Sequence, residues 1–219
     1  MRERKYTRNF VVICFCYLLL LVTNKEDMAW WLKPLLIPFL ISLVAISDKF
    51  KTQKILLAAL FFSWIGDVLL LFADKSTLFF IFGLIAFLLA HLAYIFLFFK
   101  QPKINSSRFY LRFIPFVGIY LFGILSLLWP SLNEMKIPVT IYAVVISTML
   151  LMSIKAFYEW EKPSNLLVVI GALLFVISDS VLAINKFYKP IPISAVLIMS
   201  TYLAAQFLIV KSILTNKEN

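Results

Sequence analysis

Along the chain, long apolar runs alternate with short polar breaks. A helix crossing a ~30 Å hydrocarbon layer needs about 20 residues. Eight runs meet that need, at about 7–23, 29–46, 54–72, 77–99, 109–129, 137–155, 165–185 and 191–213. The breaks between them are brief: NKED, SDKFKTQ, ADKS, KQPKINSSR, PSLNEMK, YEWEKPS and NKFYKP. None is long enough to set apart a second domain. The pattern therefore predicts an all-α, polytopic membrane bundle of eight transmembrane helices, with residues 1–219 as a single membrane domain.

Composition agrees. The chain is 63% hydrophobic and 15% charged, against about 45–50% and about 25% in a soluble domain. A net charge of +10 would suggest nucleic acid in a soluble protein. Here the basic residues fall between apolar runs and form no face of their own, so no nucleic-acid partner is expected. They instead set orientation, because cytoplasmic loops carry the excess of Lys and Arg. With the N-terminus inside, that side holds fifteen: Arg2, Arg4, Lys5, Arg8, Lys49, Lys51, Lys54, Lys100, Lys103, Arg108, Arg112, Lys155, Lys162, Lys211 and Lys217. The other side holds five: Lys25, Lys75, Lys136, Lys186 and Lys189. Both termini are expected in the cytoplasm, and a bacterial inner membrane is the expected location. The first run imitates a signal peptide, but TNKEDM after it offers no small-residue cleavage site, so an uncleaved span is expected. Cys14 and Cys16 are two apart within an apolar run and do not share a helical face, which argues against a disulfide or metal role.

A few polar residues lie at membrane depth: Lys33 in the second run, Ser63 and Asp67 in the third, His91 and Tyr94 in the fourth. Ser178 and Asp179 lie in the seventh, which ends in Asn185–Lys186, and Tyr202 and Gln206 in the eighth. A charge at the centre of a spanning helix costs about 2.5–3.5 kcal/mol on insertion scales, so such groups usually face the protein interior and mark function. Ser63/Asp67 and Tyr202/Gln206 are four apart and His91/Tyr94 three apart, so each pair shares one helical face. A shared interior cavity would satisfy them all. WIGDVLLL (64–71) and VISDSVLA (176–183) match in pattern and lie on runs of the same direction. That similarity suggests a parallel 4+4 internal repeat, with the two aspartates at equivalent depths.

Taken singly, each residue has a structural reading. The aspartates can bond to hydroxyl groups, His91 can bridge helices, Lys33 can snorkel to the interface along tryptophan, and the tyrosines can pack. Pro34 and Pro38 most simply kink the second helix.

The set KPLLIP (33–38), SWIGDVLLLF (63–72), AHLAYIF (90–96), ISDSVLAINKF (177–187) and YLAAQFLI (202–209) resembles the lysoplasmalogenase (YhhN-like) family. The order and spacing of the motifs carry the likeness, from about 33 to 209. The resemblance implies an integral membrane hydrolase that cleaves the vinyl ether bond of lysoplasmalogens. Its products are a fatty aldehyde and glycerophosphoethanolamine or glycerophosphocholine, with no cofactor and no metal. It carries family positions onto Lys33, Gly66, Asp67, His91, Ser178, Asp179, Asn185 and Gln206.

The chemistry suits two carboxyl groups. One in its acid form protonates the vinyl carbon remote from oxygen, and the other, as carboxylate, stabilises the oxocarbenium ion or activates water, a division of labour glycosidases use. Asp67 and Asp179 are the expected pair, with His91 sharing proton transfer. Gln206, Tyr94 and Tyr202 are expected to position water or the glycerol hydroxyl, with Lys33 and Lys186 holding the headgroup phosphate; Ser63, Ser178 and Asn185 complete the substrate-binding set. The expected partners are a lysophospholipid, water and the bilayer. A proton-coupled transporter would also need intramembrane Asp and His. However, Gly66 and Gly171 are the only glycines in the third and seventh runs, too few to suggest broken helices. A non-catalytic lipid-binding or scaffold protein is the third reading.

Overall fold

All eight apolar runs fold as α-helices in a computed structural model of the protein, which describes residues 2–216 and side chains from residue 5 onward. Lys217, and the side chains of Arg2 and Arg4, lie outside the described residues, although all three enter the basic-residue count above. The helices are α1 (Arg2–Val22), α2 (Glu26–Ile46), α3 (Gln53–Leu70), α4 (Thr77–Lys100), α5 (Ile114–Leu128), α6 (Lys136–Glu159), α7 (Ser164–Phe187) and α8 (Ser194–Asn216). Each expected span coincides with one helix long and apolar enough to cross a membrane. The described residues contain no strand.

The boundaries shift for local reasons. The fifth span opens with a 3-10 turn, Phe109–Phe113, before α5 begins. Pro115 sits in the first turn of α5, where its missing N–H breaks no helical bond. α6 runs past its expected end near 155 to Glu159, where a Lys155–Glu159 contact of 3.9 Å joins residues four apart in the last turn.

The chain divides into two compact units, residues 1–97 and 98–219. In the first, α1 ends in a Schellman turn. Asn24 takes φ 54°, while the Lys25 and Asn24 amides donate to the Leu20 and Leu21 carbonyls at 2.9 and 3.1 Å. Asn tolerates this left-handed conformation better than most residues. α2 then packs between α1 and α3, burying Leu36, Ile37 and Leu40. Pro38 has no N–H to give the Pro34 carbonyl four residues earlier. The Trp64 indole on α3 supplies one instead, donating to Pro34 O at 2.8 Å. The proline defect in α2 is therefore closed by α3, one turn before Asp67. α3 and α4 meet closely at Gly66, where a Cβ would lie 2.6 Å from the Phe87 ring.

In the second unit α7 and α8 are closely packed. A Cβ on Gly171 would come within 2.8 Å of Ile209 Cγ1 and 3.1 Å of the Ala205 carbonyl oxygen. Ser212 Oγ donates to Ser164 O at 2.6 Å, and Ser178 Oγ to Ile198 O at 3.0 Å, so both ends of the pair are tied. α6 packs on α7 and α5 on α6. α5 exposes Phe116, Ile119 and Phe122 at 68–75%, an arrangement that suits lipid as the surrounding solvent. At the end of α6, Glu159 is 2% exposed. It pairs with Lys103 at 3.2 Å and accepts the Ile104 amide on its carbonyl at 2.8 Å, fastening the segment after α4.

Candidate intramembrane carboxyl site

In the first unit α3 encloses Asp67, which is 3% exposed, and Ser63 on the same face is fully buried. The Ser63 hydroxyl spends its hydrogen on the Ala59 carbonyl one turn back, at 2.9 Å, so only its oxygen lone pairs face other groups. Lys33, half-buried on α2, lies within electrostatic reach of Asp67. So does Tyr17 on α1, itself 3% exposed. Three helices thus place an amine and a phenol within electrostatic reach of one carboxyl group. On α4, His91 and Tyr94 are both fully buried.

The second unit treats Asp179 differently. It is half-buried on α7, and the Tyr142 hydroxyl on α6 donates to its Oδ2 at 2.5 Å. That is the short end of the range for a phenol donating to a carboxylate. The next residue, Ser180, donates to Val176 O at 2.6 Å. Since its single hydrogen is committed there, the 2.9 Å contact with Tyr120 has the α5 phenol as donor. Tyr120 also lies within electrostatic reach of Asp179.

Ser178 is 1% exposed and bonded to the α8 backbone. Asn185 accepts the Ile191 amide at 2.8 Å, which shapes the turn into α8. Lys186 is exposed at the end of α7. Tyr202, 3% exposed, meets Phe175 edge-on at 5.4 Å, and Gln206 is fully buried on the same helix face. α3 and α7 run unbroken through their aspartates. Among the described residues, no three His, Cys, Asp or Glu side chains gather to hold a metal.

Sequence reasoning missed Tyr17, Tyr120, Tyr142 and Ser180. The signal was present, since each carries a polar atom inside an apolar run. A tyrosine there also reads as a packing or interface aromatic, and its carboxyl partner lies many residues away: 37 for Tyr142 and Asp179.

Fold and site together define a multi-pass, all-helical membrane protein with carboxyl groups held at membrane depth. The chain belongs to the YhhN family, whose model matches residues 28–213. That range contains every site residue named from the sequence, and the resemblance drawn from the motifs is borne out. Among similar proteins is the lysoplasmalogenase TMEM86A of Bos taurus, 34% identical over 167 residues. The match covers 73% of this chain and 65% of that relative, slightly under two thirds of its length. The human lysoplasmalogenase TMEM86B is 32% identical over 212 residues, covering 94% and 84% of the two chains. A lysoplasmalogenase of Mycobacterium tuberculosis is 32% identical over 171 residues, covering 77% and 63%. No solved structure matches the chain.

Proposed function

We propose that the protein is a membrane hydrolase that cleaves the vinyl ether bond of lysoplasmalogens, releasing a fatty aldehyde and a glycerophospho-base. The observation that carries this reading is Asp67, a carboxyl group 3% exposed within an apolar helix. A group so costly to insert is expected to do chemistry there. The names of the relatives supply the substrate class.

Asp67 and Asp179 are the two carboxyl groups assigned to the reaction. A carboxylic acid gives its proton to the alkenyl carbon remote from oxygen, leaving an oxocarbenium ion stabilised by the second carboxyl as carboxylate. Water adds at the carbon bearing oxygen and loses its proton to the conjugate base. The hemiacetal then collapses to aldehyde and free glycerol hydroxyl, so one water is consumed and no oxidant is needed. His91 shares the proton transfers. Tyr94, Tyr202 and Gln206 position water and the glycerol hydroxyl, and Ser63, Ser178 and Asn185 contribute to substrate binding. Lys33 and Lys186 act on the headgroup phosphate as point charges. The protein sits in the bacterial inner membrane with both termini in the cytoplasm.

The test uses purified wild type, Asp67→Asn and Asp179→Asn with alkenyl and acyl lysophospholipids. Wild type is expected to release aldehyde from the alkenyl lipid only, and each variant to lose about 100-fold or more, the scale of general acid–base catalysis. In D2O, aldehyde trapped by reduction carries one deuterium on the carbon next to the former carbonyl. If both folded variants keep near wild-type rates, the carboxyl mechanism is wrong; if the acyl lipid is cleaved instead, the substrate assignment is wrong.

A further inference from the structure

We infer that Tyr142 is a positioning residue for Asp179, an inference that rests on the reaction proposed above. Its hydroxyl donates to Asp179 Oδ2 at 2.5 Å from the neighbouring helix. A second phenol acts beside it: Tyr120 on α5 donates to Ser180 at 2.9 Å, and Ser180 is anchored to its own helix through Val176 O. Two tyrosines on two helices therefore grip successive residues of α7. Their side chains leave the helix about 100° apart, so the paired grip fixes the roll of α7 at the aspartate as well as the carboxyl rotamer.

The consequence is that the phenol holds Asp179 by Oδ2 while the carboxyl group takes part in proton transfer. As the charge on Asp179 changes during turnover, the Tyr142 hydrogen bond is already aimed at it and needs no reorientation, which is how a preorganised donor lowers a barrier. Tyr142 touches neither substrate nor water in this scheme; it acts only through Asp179.

The experiment compares wild type, Tyr142→Phe, Asp179→Asn and the double variant for aldehyde release from an alkenyl lysophospholipid, with folding checked by gel filtration and thermal melting. Tyr142→Phe should lower kcat about 10- to 100-fold and leave KM within about threefold, as for an interaction made in the transition state. In the Asp179→Asn background the same change should cost less than about threefold, because the coupled partner is already gone. Should Tyr142→Phe fail to fold, 3,5-difluorotyrosine at position 142 preserves shape and strengthens the donor, and kcat should change at least about threefold. Unchanged kcat in the folded variant, or two losses that multiply, would overturn the role of Tyr142 while leaving the hydrolase intact. Wild-type protein inert toward the alkenyl lipid would overturn the hydrolase reading, and this role with it.

Discussion

Gly171→Ala tests whether the close approach of α7 and α8 holds the second unit in shape. The added Cβ would sit 2.8 Å from Ile209 Cγ1, 3.1 Å from Ala205 O and 3.2 Å from Ile209 N. Carbon atoms prefer separations of about 3.5–4.0 Å, so α8 has to move away by several tenths of an ångström. Two of the three obstacles are backbone atoms, which no rotamer change can remove. Overpacking of this kind costs about 1–3 kcal/mol. Alanine also improves helix propensity over glycine by about 1 kcal/mol, which partly hides that cost. Gly118→Ala on α5 separates the two effects, since a Cβ there meets nothing within 4 Å. Both substitutions share the propensity gain, so the stability gap between them isolates the packing penalty, about 1–3 kcal/mol. Denaturant titration of both variants in the same detergent measures that gap. The Gly171 variant should also lose activity, because Ser178, next to Asp179 on α7, is hydrogen-bonded to the Ile198 carbonyl of the displaced α8. Equal stability of Gly171→Ala and Gly118→Ala would refute the packing argument.

Two further outcomes are expected. Trp64→Phe strands the part-buried Pro34 carbonyl and should cost about 1 kcal/mol, the low end of the penalty for an unsatisfied acceptor. In a Pro38→Ala background, where residue 38 regains an N–H for Pro34 O, the same change should cost much less; equal costs in a denaturation cycle would show that the indole bond is idle. Lys33→Met should raise KM for an alkenyl lysophospholipid about tenfold with kcat little changed, the signature of lost ground-state binding. A fall in kcat at constant KM would instead make Lys33 a partner of Asp67 alone.

The eight spans were legible because lipid solvent imposes a length and polarity rule that each segment obeys by itself. Asp67, Asp179 and His91 were legible for the complementary reason, as violations of that rule. What could not be read were relations between segments. The Trp64–Pro34 bond spans 30 residues and the Tyr120–Ser180 bond 60, and periodicity within a helix carries no information about either. Glu159 was passed over because a carboxylate at the end of a run looks like a loop charge, yet the Lys103 segment folds back and buries it.

The sharpest divergence concerns the aspartates themselves. WIGDVLLL and VISDSVLA present them as equivalents, and sequence pattern gives no reason to tell them apart. Their surroundings differ. Asp67 is enclosed near a lysine, whereas Asp179 is half-buried and receives a phenol. Acid–base chemistry on a vinyl ether needs one group to give a proton while another stays charged, and unlike neighbours are what allow that split. The motif conceals an asymmetry of neighbours, and Lys33 and Tyr142 are the side chains that set the two aspartates apart.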